Sequence, residues 1–80
     1  MKITTERIEL SRTAITTFIV KKIVEAYKTS TEEALSQFMT TRTYALLQSE
    51  DSKLYLESPE YVLDMLYSEL NNDLENWLKL

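Results

Sequence analysis

The chain contains no glycine, no cysteine and no histidine, and a single proline. Each absence removes a class of chemistry. Without glycine there is no dinucleotide fingerprint and no P-loop, because both need backbone to approach phosphate where a side chain would block it. No residue takes positive φ cheaply either, which argues against tight hairpins and for helices joined by Ser, Thr and Asx turns. Without cysteine there are no disulfides, thiolate metal sites or thiol nucleophiles. Without histidine the commonest metal ligand and the commonest neutral-pH general base are gone. Carboxylates, tyrosines and lysines remain for acid–base work, and no pair of them is spaced into a recognisable pocket. The sequence therefore offers no catalytic residue, no metal ligand and no cofactor site, and an enzyme is the third of three functional readings.

Long hydrophobic runs are also missing, since a membrane span needs roughly eighteen to twenty apolar residues. The first residues mix Lys2 with Glu6, Arg7 and Glu9, unlike the apolar core of a secretory signal. A cytoplasmic protein without a membrane partner is the expectation. The eighty residues carry a net charge of −4, divided unevenly. Residues 1–40 hold six basic and five acidic groups, a net of +1, and residues 41–80 hold three and eight, a net of −5. Phosphate affinity comes from Lys and Arg releasing counterions, so an acidic chain is poorly suited to nucleic acid.

What is present reads as helix. Ser58 suits an N-cap and Pro59 the first helical position, where its missing N–H costs nothing. Glu60 then places negative charge at the positive end of the helix dipole. Val62, Met65, Leu66, Leu70, Leu74, Trp77 and Leu78 follow at spacings of three and four, which predicts a helix over about 59–79. A second long helix is predicted over about 11–28, capped by Ser11, with Ile15, Phe18, Ile19, Ile23, Ala26 and Tyr27 on its apolar face and Val20 and Val24 widening it. Residues 1–10 are either an extended arm or an early start to that helix, with Ile8 extending the stripe.

Between the two lie short helices. Ser30 and Glu33 match a capping box opening a helix over about 31–39 that buries Ala34, Leu35 and Phe38. Thr40-Thr41 interrupts it as a kink or a turn, and a helix over about 42–48 buries Tyr44 or Ala45 and Leu47. Residues 49–52 form a polar loop, and Leu54 and Leu56 tuck under the last helix. The expected fold is one all-α domain over residues 1–80, a small bundle of about four helices. The long pair should pack through Ile19, Ile23, Val62, Leu66 and Leu70. Helices 31–39 and 42–48 have the outline of a helix-turn-helix, but the second carries only Arg42 toward a groove.

Two sets of residues point to recognition. Tyr27 and Tyr44 fit the core or its edge, leaving Tyr55, Tyr61 and Tyr67 as surface candidates, either for a partner contact, since aromatics anchor interfaces, or for simple packing at the core's edge. Leu74, Trp77, Leu78 and Leu80 need something to pack on, either the N-terminal arm or another copy of the chain. Glu57, Glu60, Asp64, Asp73 and Glu75 form an acidic face, with carboxylates in line along a helix and not convergent on a cation.

The succession Phe18-Ile19-Val20, Glu25-Ala26-Tyr27, Ser30 through Glu33-Ala34, Phe38, Thr43-Tyr44, Leu47 and Tyr55-Leu56-Glu57-Ser58-Pro59-Glu60-Tyr61-Val62 resembles a family of short bacterial all-helical proteins of unknown function. The likeness covers about residues 14–70. Some members are encoded beside toxin-like partners, so the resemblance implies an accessory or antitoxin-like role and no catalytic residues. The leading reading is a non-enzymatic protein–protein interaction module, paired as a homodimer. The alternative is a small regulatory or nucleic-acid-associated domain.

Overall fold

The computed structural model describes residues 5–70, and these form four helices, a 3₁₀ turn and no strand. Helix α1 spans Thr5–Tyr27, α2 Thr31–Phe38, α3 Arg42–Gln48 and α4 Pro59–Glu69, with the 3₁₀ turn at Leu54–Leu56 between α3 and α4. The all-α bundle expected from the sequence is what the chain adopts. Leu74, Trp77, Leu78 and the rest of 71–80 lie outside the described residues.

Helix α1 starts earlier than Ser11, and Ser11 sits inside it. The reason is Ile8, which is buried with Ile15, Ile19, Val20 and Ile23 in one core cluster. The stripe repeats every seven, four and four residues, so the helix gains apolar burial by extending backward. At the other end the face narrows. Ala26 and Tyr27 are exposed, because Lys28 turns left-handed at φ 53° and ends the helix. The Lys28 N–H still reaches Val24 O at 2.9 Å, closing the last turn as glycine commonly does after a helix.

Helix α2 begins at Ser30, whose Oγ accepts from Glu33 N at 3.1 Å. The Glu33 carboxylate takes the Thr29 hydroxyl at 2.7 Å, so the return half of the expected box goes one residue upstream. Ala34 and Phe38 are buried, but Leu35 is 36% exposed and faces away from the core. Two threonines make the break after α2 a turn. Thr40 Oγ1 donates to Gln37 O (2.7 Å) and Thr41 Oγ1 to Phe38 O (2.6 Å), satisfying carbonyls that a helix end leaves without partners. Thr41 Oγ1 also accepts from Tyr44 N at 3.1 Å, so one hydroxyl ends α2 and caps α3.

Helix α3 buries Leu47 as expected, yet Ala45 is exposed and its other buried residue is polar Thr43. Tyr44 is half-buried and meets Phe38 edge-on, ring centroids 5.3 Å apart at 80°. In the following turn Leu54 and Tyr55 are buried, whereas Leu56 is 56% exposed. The inversion comes from Lys53, left-handed at φ 55°. It launches a 3₁₀ turn whose three-residue period places Leu54 and Tyr55 inward where an alternating strand would pair Leu54 with Leu56.

Ser58 caps α4 through Oγ accepting from Tyr61 N at 3.2 Å, and Pro59 opens the helix. Ile19, Ile23, Val62 and Leu66 are fully buried together, with Leu70 packed against them, which joins α1 to α4 as the spacing predicts. Helix α4 runs to Glu69, with Leu70 as its C-cap at φ −92°, ψ 6°; the rest of the expected 59–79 lies outside the described residues.

Candidate functional site

Helix α3 has seven residues, too few to be stable by itself, since isolated helices shorter than about twelve residues are marginal. It is held at both ends by charges of opposite sign. At its N-terminus the Glu69 carboxylate accepts from Arg42 N (2.8 Å), Thr43 N (2.8 Å) and Thr43 Oγ1 (2.7 Å). At its C-terminus Arg12 donates from Nε to Leu47 O (3.0 Å) and from a terminal guanidinium nitrogen to Gln48 O (2.8 Å). Each charge matches the helix dipole where it lands and satisfies backbone groups that a helix end leaves open. The guanidinium also stands 5.8 Å from the centre of the Tyr55 ring, a cation–π distance.

Partial burial pushes the Glu69 carboxyl upward, but the Arg42 N–H, the Thr43 hydroxyl and N–H, and the Arg42 charge outweigh it and hold the group below its ordinary value. Tyr67 moves the other way: burial, then the neighbouring Tyr27 and Asp64, raise its phenol.

Pinned in this way, α3 forms one wall of an open groove, of about 1060 Å³, against α4. Ala45, Leu46, Tyr61 and Met65 give it apolar surface, and Arg42, Asp64, Ser68 and Glu69 give it a polar rim. Leu46, Tyr61 and Met65 also border a recess of about 200 Å³ that reaches the 3₁₀ turn at Leu54. A smaller apolar trough of about 320 Å³ lies between α1 and α2, lined by Val20, Val24, Leu35 and Lys21 among others.

The expected recognition tyrosines part company here. Tyr61 is 50% exposed on the groove. Tyr67 is half-buried and outside the groove lining. Tyr55 is 8% exposed and belongs to the core, a correction to its place among surface candidates; the 3₁₀ turn tucks it beneath Arg12. Leu74, Trp77 and Leu78 fall outside the described residues.

Sequence reasoning missed Arg12, Thr43, Glu69 and Leu46. The first three act across 26 to 36 positions of chain, beyond any local pattern. Leu46 had a usable signal, being apolar beside Leu47 on a helix too narrow to bury both. Among the described residues no group of three or more acidic side chains could hold a metal ion, and no helix is long and apolar enough to cross a membrane. Compared with protein-family models, curated proteins and solved structures, the chain matches none.

Proposed function

We propose that this chain is a non-enzymatic protein–protein interaction module, cytoplasmic in setting, that works through the α3–α4 groove and pairs as a homodimer. The observation that carries the reading is the groove's make-up. It combines an apolar floor at Leu46 and Met65, a half-exposed aromatic at Tyr61 and a charged rim, the composition of a helix-binding cleft. Its best-placed carboxylate, Glu69, is already engaged by three donors on α3, so it serves the scaffold and is not poised for proton transfer. The apolar residues Leu74, Trp77 and Leu78 of the C-terminal segment supply the pairing surface in this proposal. The family resemblance adds a second protein, a toxin-like neighbour, as a further partner of the same module.

Analytical ultracentrifugation at high micromolar concentration tests the reading. A dimer that Trp77→Ala or truncation after Asn72 converts to monomer supports it. A full-length chain that sediments as a monomer, with Trp77 fluorescence already fully buried, overturns the pairing.

A further inference from the structure

We infer that the α3–α4 groove takes a basic amphipathic helix from a partner protein, seated so that a lysine or arginine of the partner lies over the Tyr61 ring between Glu57 and Asp64. This rests on the groove being the interaction surface proposed above and adds the chemistry of what it receives.

The groove's floor is closed, since Leu46 and Met65 pack against the core cluster. What it offers a partner is Tyr61 and its charges. Residues 41–70 carry six acidic groups and two basic ones, and α4 carries Glu60, Asp64 and Glu69 with no lysine or arginine. Two of the groove's own charges answer each other. Glu69 accepts from Arg42 N, and the Arg42 charge helps to keep its carboxyl ionised. Glu57, Glu60 and Asp64 are left over. All three are exposed, and no ion pair or hydrogen bond engages their carboxylates among the described residues.

These carboxylates surround one aromatic. Tyr61 stands one turn after Glu57 and one turn before Asp64, with Glu60 beside it, so the ring lies between carboxylates along one face. It is 50% exposed, and it lines both the groove, with Asp64, and the adjoining recess, with Glu57. An aromatic face attracts a cation, and the flanking carboxylates hold that cation in place. An anionic partner meets repulsion instead, and an apolar one takes carboxylates out of water without compensation. Phosphate-bearing partners are turned away by the same charge. A helix is the form that fits. Its basic side chains at three and four spacing advance about 5.4 Å per turn, in step with Tyr61, Asp64 and Ser68 on α4.

Two amphipathic helical peptides test this, alike in their leucines, one with lysine and the other with glutamate on the polar face. The lysine peptide is expected to bind, with amide shifts in NMR spectra centred on Tyr61 and Asp64. Its affinity should fall at least tenfold in Glu57→Gln/Glu60→Gln/Asp64→Asn. It should fall less than threefold in Glu6→Gln/Glu25→Gln/Glu32→Gln, which removes as many exposed carboxylates from α1 and α2. Helicity by circular dichroism is to be unchanged in both. Tyr61→Leu, which keeps the apolar bulk, should weaken binding about two- to fivefold. Equal loss in the two triple variants reduces the attraction to net charge and overturns the inference. Shifts at Tyr61 with the glutamate peptide alone overturn it as well, and leave the groove standing as an interaction surface. If neither peptide shifts the groove residues the inference falls, while the homodimer proposed above is still decided by sedimentation.

Discussion

Glu69 takes two hydrogen bonds from a single residue, Thr43, through its backbone N–H at 2.8 Å and its hydroxyl at 2.7 Å. Thr43 is 2% exposed, so its side chain has no water to turn to if the carboxylate is lost. Removing one partner of such a pair costs more than the pair itself contributes, because the other is left unsatisfied. Glu69→Ala is therefore expected to lower stability by about 1–2 kcal/mol, with Glu69→Gln retaining part of it. Thr43→Val, which removes the hydroxyl but keeps the shape, should cost about 1 kcal/mol. Urea denaturation of the two single variants and the double variant checks this, and additive effects would disprove the coupling.

The same carboxylate makes stability depend on pH. Its folded pKa lies below the ordinary glutamate value of 4.5, so ionisation favours the folded state. The contribution is fully present above the unfolded value and is lost as pH falls through the folded one. Thermal melts should show the gap between wild type and Glu69→Gln narrowing below about pH 4.5. A gap that stays constant from pH 7 to pH 3 would remove Glu69 as its source.

Arg12 should be harder to replace than an exposed cation. It binds two carbonyls with a planar fork and covers Tyr55, which a lysine ammonium cannot do together. Arg12→Lys is expected to recover less than half of the roughly 1–2 kcal/mol lost in Arg12→Ala. Chemical denaturation of the pair decides it.

The two left-handed lysines can be relieved. A non-glycine residue in this region carries a cost on the order of 1 kcal/mol, so Lys53→Gly should raise stability by about 0.5–1 kcal/mol. Lys28→Gly should gain less, since Lys28 also places a positive charge at the C-terminus of α1. Melting temperatures that fall in both variants would contradict the strain.

Phe38 is fully buried and stacked edge-on with Tyr44. Phe38→Ala is expected to cost about 3–5 kcal/mol. For eighty residues that is a large share of total stability, and the variant should lose most of its helical signal at 37 °C.

Helix type and order were legible because the signals are local. Ser30, Ser58 and Pro59 mark their helix starts directly, and Ile19, Ile23, Val62 and Leu66 announce the contact between α1 and α4 by spacing alone. Errors arose where the backbone departs from a period. A left-handed lysine has no compositional signature, so Lys53 hid the inward turn of Tyr55 and the outward turn of Leu56. The groove was less legible still. Its position depends on Glu69 and Arg12 reaching α3 from helices far away in sequence, and either residue alone reads as an ordinary surface charge.

Fastening at both ends also bears on how the protein comes apart. Helix α3 loosens only by giving up the bonds that tie its two ends to Glu69 on α4 and Arg12 on α1. Fraying is thus made more costly, and the amide protons of its inner turn should exchange with solvent at a rate close to that of the long helices. The shortest helix of the bundle becomes a reporter of global cooperativity, protected as long as α1 and α4.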